Sequence, residues 1–159
     1  MIHIPQKIIS GGQTGVDRAA LDAALDLGLA HGGWCPQGRK SEDGPIDGRY
    51  QLQETPSENY AQRTRWNIRD SDATWIFHQG LPLEGGTLLT AELAKQMNKP
   101  LLCVDIDVGV QSYEQMKRFL MDQKIEVLNV AGPRSSKAPE MHQKLRKFLT
   151  EFFQMLIDT

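Results

Sequence analysis

Short runs of apolar residues alternate along the chain with longer stretches in which apolar residues recur every three or four positions. The short runs predict strands, and the stretches with helical spacing predict helices. The predicted strands cover residues 7–10, 29–35, 73–77, 101–104 and 125–130. The predicted helices cover residues 16–27, 57–69, 88–98 and 111–122, with a last one beginning near 139.

Strands that alternate with helices form a parallel sheet with helices on both faces. The chain of 159 residues has the length of one ordinary domain and shows no internal repeat or linker. We therefore predict a single α/β domain over residues 1–159, a Rossmann-like three-layer arrangement with a mainly parallel five-stranded sheet. Right-handed crossovers restrict the topology, and we predict the strand order 2-1-3-4-5. In that order the loops after the first and third strands face each other where open α/β sheets bind ligands.

The first strand leads into a glycine-rich loop, residues 11–15, which opens the first helix. Backbone N–H groups at a helix start lack helical partners, and the helix dipole adds positive charge, so such a loop can accept phosphate. A P-loop needs a Lys-Ser/Thr pair where Val16-Asp17 stand, and a dinucleotide fingerprint needs another glycine spacing and an acid where Trp34-Cys35 stand. A tight turn without a ligand is the structural alternative. The candidate phosphate-binding residues of this loop are Gly11, Gly12, Gln13, Thr14 and Gly15.

A second glycine-rich loop, Gly85-Gly86-Thr87, follows the third strand and opens another helix. Taken alone, Thr87 is a natural N-cap residue. Two glycine loops that open helices at strand ends, however, together favour one pocket between them. Thr90 lies one turn further on and is expected to face the loop, which makes it a further candidate for ligand contact. Glu92 lies either near the ligand or on the solvated face.

Charged and polar residues near the loops have two interpretations each. Asp17 either stabilises the start of its helix or contacts a ligand hydroxyl or a metal held with a phosphate. Arg18 offers a fork to an anionic group, or pairs with Asp22 four residues later. After the last strand, Arg134 and Ser136 stand in a polar loop that could close over a phosphate.

Composition limits the partners and the metal chemistry. A net charge of −2 argues against a general nucleic-acid-binding protein and leaves room for one small anionic ligand. None of the four histidines has metal-ligand spacing, so no metal site is predicted. Two unclustered cysteines indicate a reducing compartment, with Cys103 expected in the core and Cys35 half-exposed. The chain has no apolar stretch of transmembrane length and no signal-peptide core, so we expect a cytoplasmic protein without membrane contact.

Several motifs along nearly the whole chain resemble those of the putative molybdenum carrier family. The longest is the stretch 10–24, SGGQTGVDRAALDAA. The others follow in order: 33–36 with 38–39, 42–46, Tyr60 with Arg63-Thr64, 66–67 with 69–74, 85–87 with 90–92, and 129–134.

The resemblance implies a member of the SLOG superfamily, Rossmann-like domains that bind or process nucleotides and related ligands. It also implies a ligand site formed by the two glycine loops, with molybdenum cofactor, a phosphate-bearing pterin, as a specific cargo. The lonely-guy phosphoribohydrolases are more distant members, and their signature places a glutamate three residues after the loop threonine. Here Thr90 occupies that position and Glu92 follows two residues later, which argues against the N-glycosidic hydrolase mechanism.

The leading hypothesis is a protein that binds a phosphate-bearing, nucleotide-like or pterin ligand, with molybdenum cofactor carriage as its most specific form. One alternative is a hydrolase that cleaves a glycosidic or phosphate bond of a nucleotide, with Asp17 or Glu92 as the acid/base group. Another is a signalling module that senses a nucleotide without converting it. Relatives with this fold commonly pair through helices, so a homo-oligomer is an expectation. No nucleic-acid polymer is expected as a partner.

Overall fold

Five parallel strands form the central sheet in the computed structural model of the protein, which describes residues 2–80 and 82–159. In chain order the strands of the central sheet and of a second, smaller sheet are β1 (Lys7–Ile9), β2 (Ala30–Gly32), β3 (Trp34–Cys35), β4 (Gln53–Glu54), β5 (Ala73–His78), β6 (Leu101–Asp105) and β7 (Val127–Ala131). Strands β3 and β4 pair with each other in a separate small sheet. The helices are α1 (Val16–Leu27), α2 (Tyr60–Arg69), α3 (Gly85–Gln96), α4 (Tyr113–Gln123) and α5 (Met141–Ile157).

Helices cover both faces of the sheet, because successive side chains of a strand point to opposite sides. Trp75 and Phe77 of β5 point to the face covered by α1, α4 and α5, where the Trp75 ring packs against Phe152 and Phe153. Ile76 points to the other face and packs with Ala91 of α3. The predicted α/β class, with three layers and a five-stranded parallel sheet, is confirmed. No helix within the two described segments is long and apolar enough to cross a membrane.

The strand order of the sheet differs from the predicted 2-1-3-4-5. It is β2-β1-β7-β5-β6. The last strand, β7, therefore lies between β1 and β5, which are the first and third of the predicted strands. Strand β7 pairs with β1 on one side and with β5 on the other, and most of its side chains are buried. A strand that is buried on both faces belongs in the middle of a parallel sheet. The loop after β7 therefore lies between the two glycine loops.

The predicted second strand is divided at Gly33, which has a φ of 129°. A Cβ atom at this position would collide with the carbonyl oxygen of Ser10, so only glycine fits. The chain turns there, and Trp34 and Cys35 leave the main sheet to pair with β4. The two cysteines are the reverse of what we predicted: Cys35 is buried, and Cys103 is exposed on the edge strand β6. Cys103 points away from the core because its neighbours Leu102 and Val104 point into it.

Candidate ligand-binding site

A cavity of about 760 Å³ lies at the carboxyl ends of β5 and β7. Its wall is formed by the loop after β5, the start of α3, one side of α2 and the loop after β7, with Gln13 and Asp17 contributed from the first loop and α1. This is the edge of an open parallel sheet at which ligands bind. The cavity therefore lies at the carboxyl edge of the sheet, where the ligand site was predicted, but β7 separates the two glycine loops and the cavity lies on the side of the second one.

The second glycine loop opens directly onto the cavity. Helix α3 begins at Gly85, whose φ is 53°, and a Cβ atom at Gly85 or Gly86 would meet no other atom within 4 Å. Thr87 lies in the first turn of the helix, since Glu84 holds the N-cap position. Thr87 and Thr90 are buried and line the cavity, and the Thr90 hydroxyl donates to the Gly86 carbonyl at 2.9 Å. All four predicted residues of this loop thus lie at one helix start, whose N–H groups favour an anion.

The first glycine loop is covered by the rest of the chain. A Cβ atom at Gly11 would collide with the Arg63 side chain, one at Gly12 with Leu52, and one at Gly15 with the Pro133 carbonyl oxygen. The Pro133 carbonyl also accepts the Val16 N–H at 3.2 Å, so this N–H is not free for a ligand. The chain packs so closely against these three positions that no side chain fits, which accounts for the glycines. Gln13 is the predicted residue of this loop that lines the cavity.

Thr14 and Ser136 come together, as a shared phosphate site requires, but they surround an internal carboxylate. The Thr14 hydroxyl donates to the Glu42 carboxylate. Ser136 donates to the same carboxylate from its backbone N–H at 3.1 Å and from its hydroxyl at 2.6 Å. These hydrogen bonds, those of Ser136 first, lower the pKa of Glu42. Sequence reasoning did not single out Glu42 as a site residue, although it begins the motif 42–46 of the family resemblance.

Arg18 offers a fork to an anionic group, as one of its two predicted interpretations had it, but that group is a carboxylate of the chain itself. Its guanidinium donates to both carboxylate oxygens of Asp43, at 2.6 and 2.9 Å, and to the Ser41 hydroxyl at 2.8 Å. The hydrogen bond from Arg18 holds the pKa of Asp43 well below its usual range. Asp22, the predicted alternative partner, instead accepts one hydrogen bond from the Tyr50 hydroxyl and pairs with His142 at 2.7 Å. Arg18 therefore fastens the segment 41–43 to α1.

Three cations surround the ring of Tyr60. The guanidinium carbons of Arg63 and Arg134 lie 5.7 and 5.5 Å from the ring centre, and the Lys40 ammonium lies 4.9 Å from it. We call Lys40, Arg63 and Arg134 the cation cluster. Tyr60, Arg63 and Arg134 also line the cavity. Arg134 was a predicted ligand residue; Tyr60 and Arg63 stood only among the motifs of the family resemblance.

Asp17 is buried beside the cavity wall. Its Oδ2 accepts the Gln13 backbone N–H at 3.3 Å and a guanidinium N–H of Arg63 at 3.4 Å. Burial raises the pKa of Asp17 to about 6, and the opposing effects of Arg63 and the Gln13 N–H are smaller. Burial likewise lowers the pKa of Arg63. We call Gln13, Asp17 and Arg63 the Asp17 cluster.

The two predicted acid/base residues are not brought together. Asp17 lines the cavity, whereas Glu92 is exposed on α3 and is not part of the cavity wall. Among residues 2–80 and 82–159, no three His, Cys, Asp or Glu side chains are grouped as a metal site would require.

Comparison with known proteins agrees with the motifs in the sequence. The family model described as the circularly permutated YpsA SLOG family matches residues 8–153. The crystal structure of the putative molybdenum carrier protein from Syntrophus aciditrophicus SB superimposes with a TM-score of 0.91 and is 43% identical in sequence, over 96% of this chain and 97% of that one. No curated protein matches the chain. The match of the family model over most of the chain shows that the protein belongs to the circularly permutated YpsA family of SLOG proteins.

Proposed function

We propose that the protein binds a small phosphate-bearing ligand in the cavity beside Tyr60 and carries it without converting it. The observation that supports this most directly is the cation cluster. Within the described residues, neither Lys40 nor Arg134 has a carboxylate within salt-bridge distance. In the described part of the chain Arg134 lines the cavity without a salt bridge of its own, and a cation in that position favours the entry of an anion.

The start of α3 supports the same placement of the phosphate. Its first turn contains no acidic residue, and its glycines leave open space toward the cavity. Helix starts of this kind bind phosphate through backbone N–H groups and the helix dipole. We therefore assign the phosphate to the region between Gly85-Gly86-Thr87 and Arg134.

The size of the cavity suits a ligand larger than phosphate itself. A volume of about 760 Å³ lies within the range found for drug-sized and cofactor-sized ligands. Tyr60 offers an aromatic face beside the cations, which suits a heterocyclic ring. Molybdenum cofactor, a pterin with a phosphate, combines the two parts, and the similar protein from Syntrophus aciditrophicus SB carries the name of a molybdenum carrier.

A hydrolase is the second candidate, because Asp17 lines the cavity and a buried carboxyl with a pKa of about 6 suits a general acid. The arrangement favours a carrier over a hydrolase for one reason. Glycoside hydrolysis generally uses two carboxyl groups. Glu92 is exposed outside the cavity wall, and of the acidic residues in that wall Asp17 is buried whereas Glu84 and Glu140 are exposed.

The test uses the full chain with molybdenum cofactor and with a panel of nucleoside monophosphates. A carrier retains the cofactor in native mass spectrometry and releases no base, phosphate or ribose phosphate from the panel. Arg134→Ala should lose most of the retained cofactor, while Arg118→Ala, the same change at an exposed position of α4, should retain it. Release of products would favour the hydrolase. A change in oligomeric state on nucleotide binding, measured by sedimentation and without product, would favour the sensing module.

A further inference from the structure

The ring of His78 is held by the backbone through one nitrogen and lacks a partner at the other. His78 is the last residue of β5, is 8% exposed and belongs to the cavity wall. Its Nδ1 lies 2.9 Å from the Gly80 carbonyl oxygen, which can only accept, so Nδ1 carries the hydrogen of this bond. A neutral imidazole has a single N–H group, so Nε2 then presents a lone pair and no hydrogen.

The Nε2 atom of His78 is open to the cavity. It makes no hydrogen bond within residues 2–80 and 82–159. The unpartnered side-chain atoms that are closed off from solvent in those residues are Gln13 Oε1 and Arg63 Nε of the Asp17 cluster and Trp75 Nε1, and His78 Nε2 is not one of them. Because His78 lines the cavity, a ligand there can supply the partner that Nε2 lacks.

The strand and helix directions place His78 beside the start of α3. Side chains two positions apart in a strand point to the same face, so His78 shares the face of Ile76, which packs with Ala91 of α3. His78 lies nearer the carboxyl edge of the sheet than Ile76, and Thr87 lies one helical turn nearer that edge than Ala91. The imidazole and the first turn of α3 therefore meet at the end of the cavity to which we assign the phosphate.

The groups assigned to the phosphate at this end are donors, namely the backbone N–H groups of α3 and the Arg134 guanidinium. Nε2 of a neutral ring is an acceptor, and so is each oxygen of an ionised phosphate, so the two pair only when a proton lies between them. We propose that His78 is a further phosphate-binding residue, which holds an oxygen of a phosphate monoester through one proton taken up on binding. The inference rests on the proposed function and adds to it the protonation state of the bound complex.

The proton comes from the buffer and resides between Nε2 and the phosphate oxygen. In the protonated ring both nitrogens donate, so Nε2 binds the phosphate while Nδ1 keeps its hydrogen bond to Gly80. A phosphate monoester has its second pKa near about 6, so it arrives as a dianion at pH 8 and stabilises the positive ring. A binding reaction that takes up one proton weakens about tenfold for each unit by which the pH rises.

Other titratable groups surround this end of the cavity. The charged side chains of its wall are Asp17, Glu84, Glu140, Arg63, Arg134 and Lys137, together with the Tyr60 phenol. Asp105 stands opposite His78 on β6 and accepts the Gly80 N–H at 3.3 Å. Burial raises the pKa of Asp17 to about 6, so Asp17 is the group whose proton uptake must be separated from that of His78.

The test is calorimetric titration of the full chain with ribose 5-phosphate at pH 8, in Tris and in HEPES. The two buffers differ in their enthalpy of ionisation, so the difference in measured heat gives the number of protons taken up. We expect about one proton per bound ligand and an affinity about tenfold lower at pH 9 than at pH 8. Binding without proton uptake would overturn the inference and leave the phosphate site intact. If ribose 5-phosphate failed to bind at every pH, the proposed function itself would be overturned.

Three variants assign the proton. His78→Asn removes Nε2 and keeps an amide N–H within reach of the Gly80 carbonyl, so uptake at pH 8 should fall by at least about half and affinity at pH 6 about tenfold. His3→Asn, at a histidine that contacts Ile125 beyond the amino end of β7, should change neither. Asp17→Asn should keep the uptake. Uptake that is lost in Asp17→Asn, or kept in full in His78→Asn, would refute the assignment to His78.

Discussion

Replacing Asp17 with asparagine is expected to make the folded protein more stable at pH 8. Burial is the largest influence on this carboxyl and raises its pKa from the ordinary value of 3.8 to about 6, although Arg63 and the Gln13 N–H act in the opposite direction. The ionised form is therefore less favourable in the folded protein than in the unfolded chain. Asparagine has nearly the same shape and cannot ionise, so it removes this penalty.

The magnitude follows from the shift. Raising a pKa by about two units corresponds to about 3 kcal/mol between the two protonation states. The folded protein holds the proton more tightly than the unfolded chain, so the full stability is present below about pH 4 and is lost as the pH rises through about 6. We therefore expect Asp17→Asn to match the wild type near pH 4 and to exceed it by about 3 kcal/mol at pH 8.

The measurement is urea unfolding of both proteins at the two pH values, with linear extrapolation to water. Asp122→Asn, on the exposed side of α4, serves as the matched control and should show no such dependence on pH. Loss of one partner from a buried ion pair can destabilise a protein by about 3–5 kcal/mol. An Asp17→Asn variant less stable than the wild type at pH 8 would therefore mean that pairing with Arg63 outweighs burial, and the reasoning would be refuted.

Three further predictions concern the cavity and its surroundings. Sulfate, which does not titrate near neutral pH, should bind more tightly as the pH falls through about 6, because protonation of Asp17 removes a negative charge from the cavity; a pH-independent affinity would contradict this. Glu42→Ala should speed amide hydrogen exchange at Ser136, whose N–H donates to Glu42 at 3.1 Å, and unchanged exchange would show that this contact is not stabilising. Gly15→Ala should be more destabilising than Gly85→Ala in urea unfolding, by about 1 kcal/mol or more. Both glycines have positive φ, but only at Gly15 does a Cβ atom also collide with backbone.

The fold could be predicted largely from the sequence because it depends on local pattern. Continuous apolar runs mark strands such as β5, and helical spacing marks the helices between them. The position of β7 could not be predicted in the same way. Its residues indicate a buried strand, but its pairing with β1 and β5 depends on contacts between residues more than fifty positions apart.

The site could be predicted only in part, because a glycine shows where the backbone is permissive and not what fills the space beside it. Gly85 and Gly86 border open space, whereas the glycines of the first loop border other parts of the chain. The sequence around the two loops does not distinguish these cases. Tyr60 approaches Arg134 only because the start of α2 and the loop after β7 lie at the same cavity. That juxtaposition follows from the strand order, which sequence reasoning placed differently.

The two helix starts at this edge of the sheet differ in how their charge is balanced, and this difference indicates where a ligand can bind. At α1 the chain supplies its own carboxylates: Asp17 stands in the first turn, and Glu42 accepts the Thr14 hydroxyl beside it. At α3 no acidic residue stands in the first turn, and Glu84 makes no capping hydrogen bond through its side chain. A helix start whose positive end is already paired gains little from another anion, whereas an unpaired one gains the full interaction. Although both loops have the glycines of a phosphate site, the balance of charge therefore favours α3 as the end that receives the ligand.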